Sequence, residues 1–132
     1  MGVQYNLLQG GFKNVSRNGQ ISGFQVLVKT AYYRGVALSM IEGFDVTVDG
    51  ETFKREQIQF SARGTGTHSL DEMESIGDVR WPWLEPATLT INKPDGLKAG
   101  SHQVKVVVRL RISYMPFIPN VYAFQDKLVL VA

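Results

Sequence analysis

The run from His102 to Tyr114 constrains the fold more than any other stretch of this chain. Val104, Val106, Val108, Leu110 and Ile112 keep one face apolar. Lys105, Arg109, Arg111 and Ser113 occupy the other, with Val107 the one apolar residue among them. Successive side chains of an extended strand point to opposite faces, so alternation sustained over this length reads as a half-buried strand. Pro116 and Pro119 stop it, because proline cannot donate to a sheet ladder.

Strand patterns also dominate elsewhere. Phe24, Val26 and Val28 alternate with Gln25 and Leu27, and Phe44, Val46 and Val48 alternate with Asp45 and Thr47. The second pattern meets Asp49-Gly50, a two-residue hairpin signal, because glycine readily takes a positive φ and aspartate tolerates it. A returning strand is expected over Phe53 to Ala62. Asn18-Gly19 marks another hairpin, between Phe12–Ser16 and Ile21–Thr30. Lys93-Pro94-Asp95-Gly96 reads as a turn in which proline pre-sets φ. The last strand is expected over Phe124 to Val131. One helix signal is present: Ser69 and Glu72 have the spacing of a capping box, and the helix they start can run only to Gly77.

Many short strands, glycine and proline punctuation and no βαβ rhythm predict an all-β, antiparallel sandwich or barrel of about seven or eight strands, with one short helix near Ser69 to Ser75. A length of 132 residues suits a single domain spanning 1–132. Zero cysteines remove disulfides and thiolate metal sites and fit a reducing compartment. A formal charge of +2 does not point to nucleic acid or an anionic membrane as partner. Met1 to Phe12 lacks the layout of a signal peptide, and no apolar run approaches the roughly 20 residues of a membrane span. The expectation is a soluble cytoplasmic protein.

Candidate chemistry is sparse. His68 and His102 have no metal-ligand spacing. Glu42 and Asp45 are three apart, so an extended segment turns them to opposite faces, against the shared cleft a carboxylate pair needs. Asp71, Glu72, Glu74 and Asp78 cluster around the short helix, where carboxylates complement its dipole. Gly64-Thr65-Gly66-Thr67 lacks the Gly-Lys-Ser/Thr that completes a phosphate loop and reads as a flexible connection. Arg109 and Arg111, with Lys105 and Lys127 near them, could grip an acidic partner or sugar hydroxyls, or simply form a solvated strand face.

The aromatic residues stand out. Tyr32-Tyr33-Arg34 interrupts the alternation directly after a strand. Trp81-Pro82-Trp83 puts two large rings at one bend, and Tyr114, Phe117 and Tyr122 surround two prolines. Any one ring fits a core as readily as a surface. Aromatic clusters with arginine are nonetheless enriched at protein interfaces and in sugar-stacking sites.

The segments Ala31-Tyr-Tyr-Arg-Gly-Val-Ala-Leu-Ser-Met-Ile-Glu42, Trp81-Pro-Trp-Leu-Glu-Pro-Ala-Thr-Leu89, Lys93-Pro-Asp-Gly-Leu97 and Leu110-Arg-Ile-Ser-Tyr-Met-Pro116 resemble the small beta subunit of bacterial C-glycoside deglycosidases. The resemblance rests on their combination and order, since none is a catalytic signature. It implies a jelly-roll-like sandwich docked on a larger, sugar-isomerase-like barrel, the alpha subunit, which holds a divalent metal, taken to be manganese, and the acid–base residues. It further implies a carbon–carbon lyase acting on 3-keto C-glycosides of flavonoid or isoflavone type, with no cofactor and no catalytic residue in this chain. Tyr32, Tyr33, Arg34, Trp81, Trp83, Tyr114 and Phe117 are expected to face the large subunit or the mouth of its active site. The competing readings are a free-standing carbohydrate-binding module, with Trp81 or Trp83 stacking on a sugar ring, and an independent cupin-like metal enzyme. Two histidines without metal-ligand spacing argue against the latter.

Overall fold

The alternating patterns become strands in a computed structural model, which describes residues 7–29, 36–62, 66–76, 79–81, 85–110 and 120–130. In chain order these strands are β1 (Leu7–Arg17), β2 (Gln20–Val28), β3 (Val36–Ala37), β4 (Ile41–Val48), β5 (Glu51–Phe53), β6 (Ile58–Ala62), β7 (Gly66–Ser69), β8 (Arg80–Trp81), β9 (Ala87–Asn92), β10 (Gly100–Leu110) and β11 (Asn120–Leu130). They form a five-stranded sheet in the order β1-β2-β9-β6-β7, a four-stranded sheet in the order β11-β10-β4-β5, and the two-stranded pair β3-β8. All pairings are antiparallel. This is the all-β sandwich that the alternation predicts.

The inner faces carry the expected residues. Phe24, Val26 and Val28 of β2, Leu89 and Ile91 of β9, and Ile58 and Phe60 of β6 are buried from one side. Phe44, Val46 and Val48 of β4 and Val104, Val106, Val108 and Leu110 of β10 are buried from the other, and all belong to one continuous core. On β10 the opposite face bears the exposed Lys105 and the half-buried Val107 and Arg109.

Both hairpin signals are turns with positive φ at the two central residues: 54° and 80° at Asn18 and Gly19, 50° and 88° at Asp49 and Gly50. That backbone twist matches the right-handed twist of the strands they join. In the Lys93–Gly96 turn the Gly96 N–H donates to the Lys93 carbonyl at 2.9 Å, and Asp95 takes a φ of 70° after Pro94.

Three expectations are corrected. The strand expected over Phe53 to Ala62 is two strands in different sheets, β5 and β6, separated by a 3-10 turn at Arg55–Gln57. The Gln57 side chain fixes that break: its carbonyl oxygen accepts from the Lys54 N–H and its amide donates to the Asn92 carbonyl, both at 2.9 Å. The capping box is present, with Glu72 accepting from the Ser69 N–H at 3.1 Å and Ser69 Oγ accepting from the Glu72 N–H at 3.2 Å. It starts only a 3-10 turn, Glu72–Ser75, and not a two-turn helix. Gly66 and Thr67, read as a flexible connection, begin β7.

The register aligns the ends of both sheets. Phe12 packs edge-on against Phe24, midway along β2, and against His102, near the start of β10. Phe44, midway along β4, stacks on Phe60, midway along β6, with ring centroids 5.7 Å apart. One end of the sandwich therefore holds the Asn18-Gly19, Asp49-Gly50 and Lys93–Gly96 turns. The other holds the ends of β2, β6 and β10 and the starts of β4, β9 and β11, with Val28 opposite Ala87 and Leu110 opposite both Ile41 and Asn120.

Candidate functional site

The end formed by Val28, Ile41, Ala62, Ala87, Leu110 and Asn120 collects what the sequence singled out. From these residues the chain enters or leaves segments 30–35, 63–65, 82–84 and 111–119. Tyr32, Tyr33, Arg34, Trp83, Tyr114 and Phe117 belong to three of these segments and lie outside the described residues. Stretches far apart in sequence are thus anchored at one end of the sandwich. The strand registers set that arrangement, and no local motif announces it.

Trp81 is the one member of the set within the described residues, and its placement corrects the expectation. Its side chain is fully buried. β8 pairs with β3, setting Trp81 opposite Val36, and this turns the indole into the core. There its ring centroid lies 5.4 Å from that of Phe60, edge to face, and 6.3 Å from that of Phe44. The Nε1–H donates to the Glu85 carbonyl at 2.6 Å, which satisfies the one polar group of the ring. Trp81 therefore cannot present its face to a partner or stack on a sugar. It is part of the core instead, packed against Phe60 and Phe44. The β3-β8 pair is tied down nearby, where the Leu38 and Ser39 N–H groups donate to the Val79 and Ile76 carbonyls at 3.0 and 2.9 Å.

The outer face of the four-stranded sheet carries an arginine arrangement close to that end. Arg109 grips Asp45 through both terminal nitrogens, the second contact at 3.1 Å, and Asp45 rather than Glu42 is its partner. Arg55, which the sequence reading passed over, donates to Asp71 at 2.7 Å and to the Glu42 carbonyl at 2.8 Å. Gly43 lies under both: a Cβ there would stand 2.9 Å from an Arg55 nitrogen and 3.4 Å from an Arg109 nitrogen. The glycine is a signal the sequence did contain, since its lack of a side chain in β4 leaves room for two guanidinium groups. Lys105 lies on the same face, separated from Arg109 by Val107, and Lys127 stands opposite Gln103. Arg111 falls outside the described residues.

Both histidines are held by neighbours. His68 Nδ1 lies 3.8 Å from Glu72, whose carboxyl is held below its usual range first by the Ser69 N–H and hydroxyl and then by His68. His102 Nδ1 is 2.6 Å from Asp49, and its Nε2 is 2.6 Å from the Lys98 carbonyl. Among the described residues no group of three or more His, Asp or Glu side chains is gathered to hold a metal ion, and no helix is long and apolar enough to cross a membrane.

Comparison with known proteins places this architecture. A family described as "C-glycoside deglycosidase beta subunit" matches residues 3–114. The C-glycoside deglycosidase beta subunit of Eubacterium cellulosolvens is 38% identical over 107 residues, covering 80% of this chain and 72% of the relative. The 3'-dehydrocarminate deglycosidase beta subunit of a Microbacterium species is 33% identical over 97 residues, 72% of this chain and 70% of its own. A third relative, the C-glycoside deglycosidase beta subunit of Arthrobacter globiformis, is 29% identical over 114 residues, 82% of this chain and 86% of its own. With the family match spanning most of its length, the chain belongs to the C-glycoside deglycosidase beta subunit family.

Proposed function

We propose that this chain is the beta subunit of a heteromeric C-glycoside deglycosidase, and that it docks on a barrel-fold alpha subunit through the end of the sandwich that anchors segments 30–35, 82–84 and 111–119. The observation that carries the reading is that convergence. Three segments bearing five tyrosine, tryptophan or phenylalanine residues already singled out, Tyr32, Tyr33, Trp83, Tyr114 and Phe117, together with Arg34, spring from strand ends that the register brings together. Large aromatic and arginine side chains dominate interface energetics, and the core of an interface is depleted in charge. The names of the relatives, each a beta subunit, support a division of labour with a second chain.

For the assembled enzyme we infer a carbon–carbon lyase reaction on a 3-keto C-glycoside of flavonoid or isoflavone type. The name of the Microbacterium relative, which specifies a 3'-dehydro compound, supports a keto sugar. The ketone at C3 acidifies the proton on C2, and a base takes it to leave an enolate. As the enolate collapses, a double bond forms between C1 and C2 of the sugar. The bond between C1 and the aglycone carbon breaks, and its electron pair leaves with the aglycone, which takes up a proton. A divalent metal held by the partner, manganese in this reading, would stabilise negative charge on the sugar oxygen. This chain contributes a rigid platform and a wall at the active-site mouth, and works in the cytoplasm.

Co-expression with a candidate barrel-fold alpha subunit tests the proposal. The two should elute together from gel filtration, and the complex should cleave a 3-keto C-glycoside with an activity that a chelator abolishes. Metal-dependent cleavage by this chain alone, or a complete failure to associate, would contradict it.

A further inference from the structure

His102 lies at the opposite end of the sandwich from the proposed docking end, and its ring is 11% exposed as a side chain. Each ring nitrogen faces an acceptor. Nδ1 is 2.6 Å from a carboxylate oxygen of Asp49, and Nε2 is 2.6 Å from the carbonyl oxygen of Lys98. A neutral imidazole carries one N–H, so it can satisfy only one of these contacts and must set a lone pair against the other acceptor. Both contacts together require the imidazolium.

The two acceptors lie on either side of the start of β10, one in the hairpin that follows β4 and one in the connection that precedes β10. Asp49 is in the β4–β5 hairpin, where its other carboxylate oxygen accepts from the Gln103 N–H at 2.8 Å and its own N–H donates to the Gln103 carbonyl at 2.9 Å. Lys98 is in the connection from β9 to β10. One residue earlier, that connection is clamped to β1, because the Asn14 amide donates to the Leu97 carbonyl and Asn14 Oδ1 accepts from the Leu97 N–H, both at 2.9 Å. His102 therefore bridges the hairpin of one sheet to a connection tethered to the other. The same connection, with Asn14, Ile21, Leu97 and Lys98, forms one wall of a groove of about 720 Å³.

We propose that His102 is a pH-operated latch: as imidazolium it pins the 97–99 connection to the Asp49 hairpin and fixes that wall of the groove, and on losing its proton it releases one of the two.

The surroundings set the direction. Burial lowers the proton affinity of His102, but the Lys98 carbonyl and then the Asp49 carboxylate, as acceptor and as charge, outweigh it and raise the pKa above the ordinary 6.5. Asp49 is lowered below its ordinary 3.8, first by the Gln103 N–H and then by His102. Among the described residues, the other elements packed on the ring bring no further charge to it: β1 presents Phe12, edge-on at 6.0 Å between centroids, and β11 presents Leu128 opposite. A raised histidine stabilises fully below its unfolded value and loses that contribution as pH rises through its folded value. A lowered carboxylate stabilises above its unfolded value and loses that contribution as pH falls through its folded one. The latch is thus at full strength between about pH 4 and 6.5, opens as pH rises through the raised value of His102 and fails again as pH falls through the lowered value of Asp49.

The chain has only two histidines, so 15N-histidine labelling of the whole chain, free or in the assembly it purifies with, gives a spectrum simple enough to titrate. A His68→Gln variant assigns the signals. We expect both His102 nitrogens to show imidazolium shifts at pH 6, with a midpoint above 6.5. In the uniformly 15N-labelled chain, the Lys98 to Gly100 backbone amides should shift, and exchange with solvent several-fold faster, with the same midpoint. In Asp49→Asn the midpoint should fall. Titration of His102 at or below 6.5 in the unaltered chain, or amides that ignore its titration, would overturn the proposal, whether or not the Asp49 variant folds.

Discussion

A wholly buried indole whose only polar atom already has a partner has no role outside the core, and Trp81 is such a residue. We expect Trp81→Ala to cost about 3–5 kcal/mol of stability in a denaturant titration, the range for removing a large aromatic from a packed core. Trp81→Phe, which keeps an aromatic ring against Phe60, should cost less. Two glycines give a sharper contrast. A Cβ on Gly23 would sit 1.9 Å from the Ile91 carbonyl oxygen, which is backbone and cannot swing aside. One on Gly43 would meet only the far ends of Arg55 and Arg109. Gly23→Ala should therefore lower the melting temperature severely or abolish folding, and Gly43→Ala should leave it within a few degrees of the unaltered chain. At this scale the sequence is a partial guide. Trp81 and Trp83 occupy near-identical contexts, and what buries the first is its pairing opposite Val36, a contact between residues 45 positions apart that no local pattern encodes.

At the scale of the element, legibility follows how local the cause is. The Asp49-Gly50 and Asn18-Gly19 turns are written in two residues each, because a positive φ at both positions excludes most others. The β10 strand is legible because one buried face demands alternation. The break between β5 and β6 is not, since it depends on Gln57 reaching Asn92, a neighbour only once the five-stranded sheet exists. The helix at Ser69 is misjudged for a related reason: a capping box fixes where a turn begins, and tertiary packing decides how far it continues. Arg109 and Asp45 tie β10 to β4 with both side chains more than a third exposed. Asp45→Asn should accordingly cost no more than about 1 kcal/mol in thermal unfolding, the scale of a solvent-screened ion pair. A much larger loss would mean that the Arg55–Arg109 arrangement acts as one cooperative network.

For the whole molecule, the account turns on which end of the sandwich meets the alpha subunit. The strand registers that align β2, β4, β6, β9, β10 and β11 are a property of the complete fold, so the convergence of segments 30–35, 82–84 and 111–119 could not be read from their spacing in the chain. The aromatic character of those segments could. The most direct measurement is the affinity of single-residue variants for the purified alpha subunit, taken beside their melting temperatures. Trp83→Ala and Tyr33→Ala should each weaken association by about 30-fold or more, the loss of an interface anchor worth at least about 2 kcal/mol, with melting unchanged. Arg17→Ala, at the exposed Asn18-Gly19 end, should leave affinity intact. Full affinity in the first two variants, or a loss confined to Arg17→Ala, would contradict the account.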